Sequence, residues 1–182
     1  MNDNGKKKLI TSKHYYDFLL KSGIKFVSGV PCSTVNKLLH YLHASDEIRY
    51  IPAPREDIAI SLSFGYGMST GELPLVIMQN SGIGTSLDAI MTEPLLYKVP
   101  ILMLITWRGF YKKGLNEIGD EPQHWLWGDV TKLILESIGI KCFILDSVNQ
   151  YETTKRAIEY SKTSRKPSAL LLKRNESIYE DR

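Results

Sequence analysis

The sequence predicts a three-layer α/β/α fold built on a mostly parallel sheet of about six strands. Short β-rich runs alternate along the chain with longer amphipathic stretches, and most of the short runs are continuously apolar instead of alternating. Strands covered on both faces read this way, and parallel neighbours need a crossover long enough to hold a helix. No internal repeat, low-complexity tract or linker interrupts the pattern, so one domain is expected.

Taken in order, strands are expected at residues 25–30, 48–51, 75–79, 101–106, 141–145 and 169–172, and helices at 12–21, 33–42, 55–68, 85–96, 125–137 and 148–161. Right-handed crossovers then set helices on both faces of the sheet. One long irregular stretch remains, residues 107–123, and long loops in compact domains are usually functional or mobile. Residues 1–11 and 176–182 read as tails on either side of a domain spanning 12–175.

Composition removes several classes of function. A chain of 182 residues, 43% hydrophobic and 24% charged, can bury a full core without disulfides or a structural metal. Cys32 and Cys142 form no CxxC or Cys/His spacing, which argues against a zinc site or disulfide framework and for a reducing, cytoplasmic setting. The longest apolar runs fall well short of the roughly 20 residues of a membrane span. The polar, lysine-rich start is unlike a signal peptide. A net charge of +3, with no basic cluster interleaved with aromatics, gives no footprint for nucleic acid and leaves an anionic substrate or cofactor open.

Parallel α/β folds bind ligands at the carboxyl ends of their strands, so four segments matter most. Gly29-Val30-Pro31-Cys32-Ser33 follows the first strand; it is a strand-to-helix turn in which Ser33 is placed to cap the next helix. Pro52-Ala53-Pro54-Arg55-Glu56-Asp57 follows the second and opens a helix, where Glu56 is by itself explained as a favourable partner for the helix dipole. Gln79-Asn80-Ser81-Gly82-Ile83-Gly84-Thr85 follows the third, a glycine-containing bend whose backbone N–H groups can hold an anion or admit another chain. It matches neither GxGxxG nor GxxxxGK[ST]. Trp107-Arg108-Gly109 follows the fourth and leads to Asp120-Glu121-Pro122-Gln123-His124, where His124 is an acid, a base or a surface residue.

Together, in this order and spacing, these segments resemble the phosphonopyruvate and sulfopyruvate decarboxylases. The resemblance runs over roughly residues 12–172 and covers the pyrimidine-binding domain of that thiamine-diphosphate family. The family's diphosphate-binding domain, marked by a GDG motif and a downstream asparagine that hold Mg²⁺ and the diphosphate, has no counterpart here. Gly128-Asp129-Val130 lacks the second glycine and falls inside an expected helix. The resemblance therefore implies the α subunit of a two-chain enzyme, sharing thiamine diphosphate with a β subunit that holds Mg²⁺, in an assembly of at least α2β2. The implied reaction is decarboxylation of an anionic 2-oxo acid, 3-sulfopyruvate ahead of 3-phosphonopyruvate because of the split chain. A related carboligase or acyltransferase, or a non-catalytic scaffolding subunit, stands as the alternative.

Site residues follow from the same resemblance. Glu56 resembles the glutamate whose carboxyl bonds the cofactor's pyrimidine N1′ and promotes the imino tautomer that takes the thiazolium proton. Asn80, Ser81 and Gly82 match the family's glycine turn and imply cofactor binding. His124 resembles a histidine in proton transfer or substrate binding. Pro31, Ser33 and Arg108 are assigned to substrate, Arg108 as a bidentate partner for carboxylate, phosphonate or sulfonate. Cys32 stands where relatives often carry aspartate, which removes a carboxylate from that position. Residues 109–119 read as a lid or as a solvated loop.

Overall fold

A computed structural model describes residues 11–110, 120–145 and 149–173. The proposed loop at 109–119 lies outside the described residues from position 111 onward. In chain order the elements are α1 (Ser12–Lys21), β1 (Phe26–Gly29), α2 (Asn36–His43), β2 (Arg49–Pro52), α3 (Glu56–Thr70), β3 (Leu75–Gln79), α4 (Gly82–Ile90), β4 (Leu102–Trp107), α5 (Trp125–Ser137), β5 (Lys141–Leu145), α6 (Gln150–Ser164) and β6 (Ser168–Lys173). All pairings are parallel, and the strand order is β2-β1-β3-β4-β6-β5. The expected three-layer α/β architecture is thus present.

Side chains alternate across the sheet into two cores. Leu75 and Ile77 of β3, Leu102 and Leu104 of β4, and Leu170 and Leu172 of β6 meet α1, α2 and α6 on one face. Their neighbours Val76, Met78, Met103, Ile105 and Leu171 meet α3, α4 and α5 on the other. Because both faces of β3 and β4 are covered, their sequences are unbroken apolar runs.

Several boundaries differ from expectation for local reasons. Ser33 caps nothing: it opens a single 3-10 turn, Ser33–Val35, and α2 then begins after Val35 without a side-chain cap bond. Helix α4 starts at Gly82, three residues before the expected position, and runs into a wider π-type turn over Met91–Leu95. Pro94 sits inside that turn, and a proline ring neither donates to nor fits a regular helical turn.

Candidate active site

The chain reverses direction across the sheet at β1: the connection to β2 leads to one side, and β3 lies on the other. The carboxyl ends of β1 and β3 therefore flank a topological switch point, the place where open α/β sheets bind ligands. The two strands meet closely there. A Cβ at Gly29 would lie 2.1 Å from the Ile77 carbonyl oxygen, so only glycine lets β1 approach β3 in this register.

Glu56 is carried to this corner by the extended Pro52–Arg55 approach and occupies the first position of α3, where it is half-buried. Its side chain lies across the start of α4. A Cβ on Gly82 would fall 2.3 Å from Glu56 Cγ and 2.7 Å from Oε1, so the carboxyl occupies the space that the glycine leaves empty. The Thr85 hydroxyl donates to Glu56 Oε2 at 3.2 Å. Among the described residues nothing donates to Oε1. Arg55 does not compensate Glu56, since its guanidinium forks onto Asp57 at 2.8 and 3.2 Å.

The expected cofactor residues divide. Gly82 forms the notch under Glu56, and Ser81 Oγ accepts from Gln79 Nε2 at 2.7 Å beside it. Asn80 instead turns inward and is fully buried. Its Nδ2 donates to the Arg108 carbonyl at 2.8 Å and to Thr131 Oγ1 at 2.9 Å, and its Oδ1 accepts from Arg108 N at 3.2 Å. Asn80 thereby ties the turn after β3 to the turn after β4 and to α5.

Arg108 also has a structural partner. Its Nε donates to Asp120 Oδ1 at 2.6 Å, while Asp120 Oδ2 accepts from Gly109 N at 2.7 Å. Asp120 is 1% exposed, and a buried carboxylate of this kind needs such a partner. The pair leaves only the two Nη groups of Arg108 for a substrate anion. His124 ends a 3-10 turn, Pro122–His124, directly before α5. One turn later the Trp127 ring rests on Gly84, with Cη2 2.9 Å from where a Cβ would lie. Pro31 and Ser33 are exposed after β1, and Cys32 Sγ lies 3.3 Å from Thr106 Oγ1 at the end of β4. Gly128, within α5, packs backbone to backbone on Gly109, so Gly128-Asp129-Val130 is a helix-packing segment here.

What this corner offers is one half-buried carboxyl group, with one oxygen unpaired among the described residues, fixed at the meeting of two helix starts. A family model described as thiamine pyrophosphate enzyme, N-terminal TPP binding domain, matches residues 11–132. The chain belongs to that thiamine pyrophosphate enzyme family. Sulfopyruvate decarboxylase subunit alpha of Methanococcus maripaludis is 35% identical over 162 residues, which cover 88% of this chain and 93% of the relative. The subunit of the same description from Methanocaldococcus jannaschii is 36% identical over 98 residues, 54% of this chain and 57% of the relative. Phosphonopyruvate decarboxylase of Streptomyces viridochromogenes is 31% identical over 157 residues, 82% of this chain but only 37% of the relative.

Within this thiamine pyrophosphate enzyme domain, the donor set fits the cofactor's pyrimidine end. A carboxyl oxygen without a partner can accept from a ring nitrogen or share its proton. Thr85, Thr131 and Asp120 were not among the expected site residues. Hydroxyls carry no periodic signal, and the only sequence cue for Thr85 was its place in the first turn after Gly82.

Proposed function

We propose that this chain is the α subunit of a two-chain, thiamine-diphosphate-dependent 2-oxo acid decarboxylase that converts 3-sulfopyruvate to sulfoacetaldehyde and CO₂. The observation that carries the reading is the Glu56 carboxyl, lodged in the Gly82 notch with Oε1 unpaired. When bound, thiamine diphosphate supplies the electron sink for the pair left behind as CO₂ departs. Glu56 holds or shares a proton at Oε1 facing the pyrimidine. Ser81 and Gly82 shape the backbone that the cofactor meets, and Asn80 keeps that turn in place from inside. The Nη groups of Arg108 would pair with the anionic substituent, Pro31 and Ser33 would contact the substrate from the turn after β1, and His124 would move a proton or bind the substrate's acidic group.

A partner chain is required in this reading. The word subunit in the names of the methanogen relatives supports it. So does α3, which is apolar on both sides: Ala59 and Ile60 are buried in the core, yet Ile58 and Leu62 remain 40% and 38% exposed. A helix apolar all round is normally buried. Alongside, Glu93 Oε2 is shut away from solvent and has no hydrogen-bond partner among the described residues, an arrangement that a donor from another chain would complete. We assign Mg²⁺ and the diphosphate to that β chain, as the family resemblance implies. We assign the assembly to at least α2β2, in the cytoplasm.

The test is to co-purify both chains and replace Glu56 by glutamine. Assembly should persist while turnover falls about 10²- to 10⁴-fold, the range for loss of a proton-transfer group. Normal turnover in Glu56→Gln would sink the proposal. The Streptomyces relative favours 3-phosphonopyruvate as the second reading. Comparing kcat/KM for the two acids decides between them.

A further inference from the structure

We infer that Thr85 is a positioning residue that confines the proton of Glu56 to Oε1. The inference rests on the role proposed for Glu56. The Gly82 notch fixes where the carboxyl group sits, because a carboxyl cannot shift toward backbone already in contact. It does not fix which oxygen faces which way. The terminal torsion of a glutamate is broad and roughly two-fold, so the two oxygens exchange by a soft rotation. A carboxyl free to rotate would present either oxygen, protonated or not, to the cofactor.

Thr85 removes that freedom. It lies in the first turn of α4, and its Oγ1 is 3.2 Å from Glu56 Oε2 and 3.0 Å from the Gly82 carbonyl oxygen. A hydroxyl has one hydrogen and two lone pairs. When the hydrogen points to Oε2, that oxygen is an acceptor both in the carboxylate and in the acid protonated on Oε1. Proton exchange is then left to Oε1, the oxygen without a partner among the described residues. The Gly82 carbonyl is the competing acceptor, and it belongs to the same residue whose missing side chain admits the carboxyl. Position and orientation of Glu56 are therefore set from a single turn of α4.

The experiment uses the two-chain enzyme with Thr85→Val, Thr85→Ser and Glu56→Gln in parallel. Thr85→Val keeps the shape and removes the hydroxyl; kcat should fall about tenfold, as expected when one hydrogen bond to a charged group is lost. Substrate KM and cofactor affinity, the latter followed by tryptophan fluorescence, should change less than about twofold on the same argument. The near-ultraviolet circular dichroism of the bound aminopyrimidine should move toward the amino form. Thr85→Ser, which restores the hydroxyl, should recover most of the wild-type kcat and spectrum. Wild-type kcat and spectrum in Thr85→Val, beside an inactive Glu56→Gln, would overturn the inference alone. A Thr85→Ser variant no better than Thr85→Val would also overturn it, because packing and not the hydroxyl would then be responsible. Full turnover in Glu56→Gln would instead remove the reading beneath it.

Discussion

The two helical layers of this protein are finished to different standards. On the α1, α2 and α6 side, the large apolar side chains Tyr15, Leu38, Leu42 and Ile158 point into the core, and Tyr151 is the one large hydrophobic residue of these helices that is substantially exposed. On the α3, α4 and α5 side the inner surface is equally well packed, yet the outer surface keeps Ile58, Leu62, Met91, Leu96, Leu126 and Leu133 in contact with water. Leu126 and Leu133 are 72% and 67% exposed on one helix. Scattered surface apolar residues need no explanation, but several of them on the outer side of one layer do. On the proposed two-chain reading, the difference assigns one layer to folding alone and the other to folding and pairing.

The comparison can be broken at several points. The largest effect is expected where the open layer meets the site. Gly82→Ala puts a methyl group into the Glu56 carboxyl and should lower turnover of the paired enzyme about 100-fold, the order expected for an ångström of misplacement. Its thermal unfolding should change far less than its rate. Next, Leu62→Asp and Leu126→Asp should weaken association with the partner about tenfold or more while leaving the unfolding temperature of the isolated chain nearly unchanged. Size-exclusion chromatography and titration of the partner measure the first effect, calorimetry the second. Unaltered pairing in both variants would show that the open layer faces something else.

The closed layer should respond the opposite way. Tyr15→Phe loses the buried hydrogen bond between the Tyr15 hydroxyl and Thr154 Oγ1, 2.8 Å long, and should cost about 1 kcal/mol of stability with no effect on pairing. The smallest effect concerns the underside of the open layer. Burial, with a further contribution from Glu136, pushes the Cys142 thiol up to about 12. Because the folded value is raised, the neutral thiol is favoured: its contribution to stability is complete below the ordinary thiol value and is lost as pH rises toward 12. Cys142 should accordingly resist alkylation at pH 8 in the folded chain and react once it is unfolded, which mass spectrometry would read. Ready labelling in the native state would mean that α5 is not seated on the sheet as described.

Much of this architecture was legible because burial on both faces leaves a plain trace. The apolar runs at β3 and β4 match the strands to within a residue of their ends. Glu56 stands out in the sequence only in company with the neighbouring segments, since a glutamate at a helix start has an ordinary explanation. Interactions between distant segments were not legible. Gly82 read as part of a bend because glycine is a poor helix former, whereas its contact with Glu56 makes glycine necessary at the first position of α4. Arg108 reads as a partner for a substrate anion because nothing local in the sequence points to Asp120, 12 residues on, as its ion-pair partner. The inward hydrogen bonds of Asn80 were not legible because they depend on Thr131, and no local pattern links the two.

That last bond has a consequence for the order in which the chain folds. A ribosome releases Asn80 51 residues ahead of Thr131, so β1 to β4 can pair before the turn beside Glu56 has its inner anchor. Until α5 docks, the Asn80 amide lacks one of its buried acceptors, and the turn has alternatives. Maturation of the corner around Glu56 is therefore deferred to a late step of synthesis, although the residues that form it are made early. A nascent chain halted before Thr131 should be cut by protease near Ser81 far more readily than the completed one.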